Sequence, residues 1–359
     1  MTRAALLAAL DARARRVDAL RDTVTCADAL ALLRSLPAAC VDAVVTDPPY
    51  NMRKADWDTF ESDQQFVRWL GQHVREFRRV LKPNGSLYLF TRTDLQAFVE
   101  IEVRKYFNVL NNIRWRKPPY STKAEMFDKD TMRRYFPASE TIIFADQYGS
   151  DSPFNDAMID GDGTYWQKCE SAKRGIFGDY LLTEFARAGV ERRDIAALFP
   201  SRTGNLTGCV SNWLLGYNIP TPEQYQAMRD YLNTHHKNGH GEYLRREYED
   251  LRREYEDLRR PFNVSETVPY TDTWDFATVQ AYEGKHPAEK PLALMQHIIA
   301  ASTRPGALVL DPFCGSGTTL DAARQLDRHY IGGDMDAHWC RVARARLARP
   351  WQLPLALGA

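Results

Sequence analysis

The sequence predicts an α/β chain, a doubly wound and mostly parallel sheet interrupted by a mainly helical insertion. Three observations carry that expectation. Short apolar runs alternate with segments whose apolar residues recur at spacings of three and four. Two of the runs end in acidic turns, Thr46-Asp47-Pro48-Pro49-Tyr50 and Asp311-Pro312-Phe313-Cys314-Gly315-Ser316-Gly317. The alternation stops after about Asp146 and resumes near residue 285, which divides the chain into 1–147, an insertion 148–284, and 285–359.

In chain order, residues 4–21 have an amphipathic helical pattern, and Thr23 to Cys26 is a short β-branched run ending at Asp28. A helical segment through Leu36 precedes the strand Val41 to Thr46, whose apolar run is broken only by Asp42 and Ala43. Two prolines cannot continue a central strand, so it must end at Asp47, leaving a carboxylate, a rigid turn and a ring at its carboxyl edge. Ligands sit at that edge in open α/β sheets. The aperiodic stretch 51–62, which contains Lys54, reads as a surface loop beside that edge and a candidate lid. Phe66, Val67, Leu70, Val74, Phe77, Val80 and Leu81 then mark a long helix, ended by Pro83-Asn84-Gly85. Strands follow at Ser86 to Phe90, Phe107 to Trp115 and Thr141 to Ala145, with a helix over Asp94 to Lys105.

Composition bounds the function. A length of 359 residues suits one large domain with an insertion, or two domains. A net charge of zero excludes a global basic field, so any nucleic-acid surface must be a local patch. The six cysteines are scattered without a Cys-x-x-Cys pair. That argues against a zinc site or disulfide framework and for a reducing, cytoplasmic location. No apolar run approaches the ~20 residues that span a bilayer, and the run Ala4 to Leu10 lacks a signal-peptide cleavage region. No membrane association is expected.

Within the insertion, Asp194 to Phe199, a polar connection, and Val210-Ser211-Asn212-Trp213-Leu214-Leu215-Gly216 resemble the helix-turn-helix of the Cro/C1-like phage repressors. There the second helix enters the major groove, which would bring Ser211 and Asn212, with Lys54 of the loop, to DNA. Pro200 to Gly208 make the connection looser than the motif's, and a small bundle anchored by Trp213 is equally open. The heptad Leu244-Arg245-Arg246-Glu247-Tyr248-Glu249-Asp250 repeats at Leu251 to Asp257. Just over two heptads are short for a free coiled coil, so a helix packed on the body or an arginine-rich arm is expected. His235, His236 and His240 read as a solvated loop rather than a metal site.

After residue 285, a helix to Ser302 precedes the strand Ala307 to Leu310, a Gly-x-Gly turn, a helix, and a strand ending at Asp334, 23 residues after Asp311. This is a nucleoside-binding half. It is no P-loop, since no Gly-Lys-Ser/Thr follows, and it lacks the third glycine of a dinucleotide fingerprint. Asp334 can accept from two ribose hydroxyls, and Asp311 suits a cationic or amino group. A positively charged nucleoside without phosphate fits, and S-adenosyl-L-methionine is such a molecule.

At these residues the chain resembles the DNA amino-methyltransferases that modify adenine N6 or cytosine N4. Asp47-Pro48-Pro49-Tyr50 is similar to their catalytic motif, the Asp311 to Gly317 turn to their cofactor motif, and His286-Pro287-Ala288-Glu289-Lys290-Pro291 to the segment preceding it. The motif order, catalytic first, is that of the β group. The resemblance implies a Rossmann-like methyltransferase sheet with the insertion as target-recognition region. It implies that Asp311, Phe313, Cys314, Gly315 and Gly317 line the cofactor, that Asp334 holds its ribose and that Asp28 meets its adenine. Thr318, Thr319 and Lys290 would be neighbours. Gly333 departs from the family, where an apolar residue commonly precedes the acid. Partners implied are double-stranded DNA and a homodimer.

The chemistry agrees with the motif. An exocyclic amine is a poor nucleophile because its lone pair is delocalised. Asp47 and the Pro48 carbonyl can accept from that NH2 group, and Pro49 stiffens the turn, so positioning and hydrogen bonding carry the reaction. The base must leave the duplex, and Tyr50 can stack on it. Aspartate as the first residue of the motif resembles the adenine-N6 members, which makes adenine the expected base and cytosine the alternative. A silent helix-turn-helix regulator and an RNA enzyme are the competing classes; the intact Asp47 and glycine turn oppose the first, and the absence of an evident RNA module opposes the second.

Overall fold

The computed structural model describes residues 15–52, 58–117, 133, 135, 137–147, 174–200, 207–235, 242–258, 261–262 and 271–350. The expected contact Lys54, and His236 and His240, lie outside the described residues, as does the start of the first helical segment, of which 15–20 are helical. The chain divides into two compact units, Met1–Gly161 with Pro261–Ala359, and Asp162–Arg260.

The first unit is an eight-stranded sheet. Its strands are β1 (Thr23–Cys26), β2 (Val41–Thr46), β3 (Leu81–Thr91), β4 (Asn108–Arg116), β5 (Ser139–Asp146), β6 (Thr273–Asp275), β7 (Leu308–Asp311) and β8 (His329–Asp334), in the order β1-β8-β7-β2-β3-β5-β4-β6. Only β5 runs against the rest, pairing antiparallel with β3 and β4. The mostly parallel sheet expected from the alternation is thus present. Besides the helical residues 15–20, this unit's described helices are α1 (Ala29–Ser35), α2 (Asp63–Val80) and α3 (Gln96–Arg104) before the second unit, and three more after it.

Period-two alternation sends each strand's residues into two cores. Val44, Leu87, Leu89 and Leu310 meet α1, α2 and α3 through Leu33, Phe66, Leu70, Phe77 and Val99. Ala43, Val45, Tyr88, Phe90 and Val309 face the opposite layer, built from Leu294, Ile298, Leu320 and Ala343 of the C-terminal helices. The sheet is therefore doubly wound.

Two details differ from the expected boundaries. Pro83-Asn84-Gly85 does not precede a strand but lies inside β3, as an irregularity: Leu81 pairs with Val41, whereas the next paired residues are Ser86 and Ala43. Asp42 holds that region together, accepting from Lys82 Nζ and from the Leu308 N–H at 2.8 Å each, so the residue that interrupts the apolar run ties β2 to both neighbours. The second difference is β6. It falls within the expected insertion, yet Trp274 and its neighbours pair with β4 at the sheet edge.

The second unit is helical. A π-helical turn (Gly175–Asp179) leads into α4 (Tyr180–Ala188), α5 (Arg192–Ala196), α6 (Cys209–Leu215), α7 (Pro222–His235) and α8 (Tyr248–Leu258). Trp213 is 2% exposed and packs edge-on against Phe199 at 5.4 Å, within a core of Phe177, Phe185, Tyr225, Met228 and Leu251. Ser211 and Asn212 lie exposed on the same helix. Twelve residues, 197–208, separate α5 from α6, more than a compact helix-turn-helix uses. The repeated heptad does not form one continuous helix. α8 takes in the last three residues of the first copy and all of the second, buried through Leu251 and Tyr255, whereas Leu244 at the start of the first copy has φ 49 and is itself a core residue.

The C-terminal helices of the sheet unit are α9 (Leu292–Ser302), α10 (Thr318–Gln325) and α11 (Ala337–Leu347). Among the described residues no helix is long and apolar enough to cross a membrane.

Candidate active site

The chain leaves β2 towards β3 on one side and β7 towards β8 on the other, so the winding reverses between β2 and β7. Ligands enter α/β sheets at the carboxyl ends of such neighbouring strands. Both sequence anchors end there. Val44 pairs with Leu310, and Thr46 Oγ1 donates to Asp311 Oδ1 at 2.8 Å across 265 residues of sequence. A cavity of about 330 Å3 opens at this point, lined by Asp28, Asp47 to Tyr50, Asp311 to Ser316, Thr318, Thr319, Asp334 and Lys290, among others.

The Asp47-to-Tyr50 turn is clamped from two directions. Asp58 accepts from the Tyr50 N–H at 2.7 Å and the Met52 N–H at 3.1 Å. Arg92 donates to the Tyr50 and Asn51 carbonyls at 3.0 and 3.2 Å and to Asp63 at 3.0 Å. Asn51 follows with φ 58, a left-handed conformation that asparagine tolerates. The Asp47 carboxylate itself accepts from the Tyr50 hydroxyl and from Lys290 Nζ. Burial raises the Asp47 pKa above the usual carboxylate range, Lys290 pulls it back, and Glu140 adds to the rise.

On the other side, Asp334 is held by the Gly315 N–H at 3.0 Å and the Asp336 N–H at 2.8 Å. Each oxygen is thus fixed by one donor and keeps a lone pair directed elsewhere. Gly315 and Gly317 have φ 49 and 81, and a Cβ on Gly315 would stand 3.3 Å from the His286 ring. At Gly333 the departure from the family has a packing cause: a Cβ there would lie 2.4 Å from the Leu32 methyl, so α1 rests directly on β8. Phe313 packs against the touching rings of Trp69 and His73, with centroids 5.7 and 5.3 Å away. Asp28 caps α1 by accepting from the Ala31 N–H at 3.0 Å. Cys314 and Thr319 are buried beneath the turn.

These residues fit S-adenosylmethionine. The cavity offers carboxylates and aromatic rings to a cationic nucleoside, and its glycine turn leads into α10 without the Gly-Lys-Ser/Thr of a phosphate cradle. Asp311 is pushed up to about 7, chiefly by burial, against hydrogen bonds from Thr319, Thr46 and the Phe313 N–H. A cation bound nearby favours its ionised form, and below about pH 7 the protonated carboxyl must first lose its proton. Cofactor affinity should therefore weaken as pH falls from 8 to 6, by up to about tenfold in all, most of it below pH 7. Titration calorimetry at the two pH values checks this, and equal affinity at both would refute it.

Of the expected site residues, all except Lys54, Ser211 and Asn212 line this cavity or form the turn bounding it; the latter two belong to the other unit. Lys290 lines the same cavity as the Gly-rich turn and is also paired with Asp47. Asp58, Arg92, Glu140 and Arg346 went unnoticed in the sequence. No spacing could have shown them, because each acts through the fold from a loop, a strand end or a distant helix. Among the described residues no cluster of His, Cys, Asp or Glu could hold a metal.

The comparisons agree with this geometry. Residues 41–345 match the family model for N6/N4 DNA methylases. The chain is 28% identical over 331 residues to the DNA adenine methyltransferase YhdJ of Escherichia coli (strain K12), covering 90% of this chain and 82% of that protein. It is 23% identical over 337 residues to the type II methyltransferase M2.DpnII of Streptococcus pneumoniae, covering 89% and 87%. The solved PvuII DNA methyltransferase, cytosine-N4-specific, superimposes with a TM-score of 0.50 at 15% identity, covering 90% of this chain and 85% of that one, a likeness of fold. With the winding reversal, the two motifs and a family match over most of its length, this chain belongs to the N6/N4 DNA methyltransferases, enzymes that use S-adenosylmethionine.

Proposed function

We propose that this enzyme methylates the N6 amino group of adenine, swung out of double-stranded DNA into the cavity beside Asp47. The observation that carries the reading is the Asp47 carboxylate, held at the winding reversal next to the cofactor turn. Aspartate at the head of the motif and the similarity to an adenine methyltransferase both favour adenine over cytosine.

In this reading Asp334 takes the ribose hydroxyls, Asp28 the adenine amino group of the cofactor, and Phe313, Cys314, Gly315, Gly317, Thr318 and Thr319 form its walls. The bound cofactor supplies an electrophilic methyl group on a sulfonium. Asp47 and the Pro48 carbonyl accept from the target amine and turn its lone pair towards that methyl. Transfer of that methyl group would leave the bond's electron pair with the departing cofactor, and Asp47 would take the proton shed by the methylated nitrogen. Tyr50 now donates to Asp47. When its ring stacks on the entering base, that hydroxyl withdraws and frees an oxygen for the amine. Asp28 and Asp334 stay fixed by their backbone donors throughout.

In this reading Ser211 and Asn212, exposed on α6, contact DNA, Lys54 is a further DNA contact, and a second copy of the chain is a further partner. Methyl transfer to unmethylated genomic DNA followed by mass spectrometry of its nucleosides tests the base. N6-methyladenine is expected; N4-methylcytosine without it would overturn the choice. No transfer to any base would favour a silent DNA-binding regulator.

A further inference from the structure

We propose that Lys290 is a positioning residue of the reaction, holding the Asp47 carboxylate in its place and in its hydrogen-bond-accepting form. This rests on the reading of Asp47 as acceptor for the target amine.

The ammonium is enclosed. Lys290 is 7% exposed, and its Nζ donates to Asp47 Oδ2 and to the Ala288 carbonyl at 3.4 Å. It lies 3.6 Å from Glu140 Oε2 and above the rings of Tyr50 and Phe90, at 5.5 and 5.2 Å. A buried cation is tolerated only with compensating anions, and here Glu140 is in turn paired with Lys117. The row Lys117, Glu140, Lys290, Asp47 alternates in sign from the half-exposed rim into the site. Two carboxylates keep Lys290 protonated in spite of burial, so it acts as a fixed cation and not as a base.

The segment carrying Lys290 is itself anchored. The neighbouring Glu289 carboxylate pairs with Arg346, which also donates to the Ser316 carbonyl and hydroxyl at 3.1 Å and to Thr318 Oγ1 at 2.6 Å. One strap thereby touches the cofactor turn through Glu289 and Arg346, and Asp47 through Lys290. Two consecutive residues, Glu289 and Lys290, thus couple the Gly-rich turn to the Asp47 carboxylate.

Facing Asp47 are Lys290, the Tyr50 hydroxyl, Glu140 and, farther off, Asp311. Burial and the two acids favour the protonated carboxyl, whereas Lys290 and Tyr50 favour the carboxylate. Without the ammonium, Asp47 should therefore hold its proton to higher pH, and the acidic limb of the rate profile should move up.

The test is single-turnover transfer of labelled methyl to unmethylated genomic DNA across pH, for wild type, Lys290→Met and Lys290→Arg, with cofactor affinity measured in parallel. Lys290→Met is expected to lose about 10²-fold at neutral pH. Its acidic limb should rise by about one unit or more, so that the deficit shrinks in alkali, while cofactor affinity changes by less than about threefold. Lys290→Arg, which keeps the charge, should return the limb close to its wild-type position. A Met variant with an unmoved limb, or one that loses cofactor affinity in step with rate, overturns the proposal. Should the Met variant not fold, a slowed Arg variant with normal cofactor affinity supports it, and an Arg variant impaired only in cofactor binding overturns it. Because the label counts methyl groups on any base, a cytosine product would defeat the adenine reading alone. A wild-type chain that transfers nothing would defeat both.

Discussion

Asp47→Ala should lower methyl transfer by about 10³-fold while leaving cofactor affinity within a few-fold. Losing one preorganised group aimed at developing charge typically costs 10² to 10³ in rate. Here the same change also strips Lys290 of its nearest anion, so the upper end of that range is expected. The cofactor side is insulated from the change: Asp334 is held by the Gly315 and Asp336 N–H groups, and Asp311 by Thr46 and the Phe313 N–H. Equilibrium binding of the cofactor and single-turnover transfer, measured on one preparation, separate the two effects. An alanine variant with near-normal turnover would remove Asp47 from the chemistry.

Trp213→Ala should unfold the helical unit at lower denaturant, by about 3–5 kcal/mol. The ring is enclosed by the unit's core and meets Phe199 edge-on, so truncation leaves a cavity whose walls are short, cross-packed helices. At the two preceding positions the effect should nearly vanish. Ser211→Ala and Asn212→Ala sit on the exposed face and should change stability by less than about 0.5 kcal/mol. Urea melts followed by tryptophan fluorescence and circular dichroism distinguish them, with a DNA mobility assay reading the surface variants. A Trp213→Ala protein as stable as wild type would mean that the helix is not held by its ring.

Much of the sheet was legible because its strands end in punctuation. Asp47-Pro48-Pro49 and the Gly315-to-Gly317 turn stop two strands abruptly, and both anchors emerged as neighbours. What escaped was whatever depends on partners distant in sequence. Pro83-Asn84-Gly85 reads locally as a helix stop, yet Asp42 draws it into β3 through Lys82. Trp274 carries no strand pattern of its own, since three residues against β4 suffice once its indole N–H donates to Thr271 and its ring is covered. The two identical heptads diverge because Leu244 must turn into the core before α8 can begin, a demand no local pattern encodes. Lys290 was legible as a site residue but not as Asp47's partner, because pairing across 243 positions is a property of the fold.

The permuted order of the two anchors has a consequence for synthesis. β2 emerges from the ribosome early, with the Asp47-to-Tyr50 turn behind it, but its neighbour β7 and the Thr46–Asp311 bond await residues made 265 positions later. β1 likewise has no partner until β8 is made. Pairings of such separation are entropically late steps in folding. A nascent or truncated chain therefore carries Asp47 without a donor site beside it. A chain interrupted before β7 and β8 lacks both of these neighbours of the early strands.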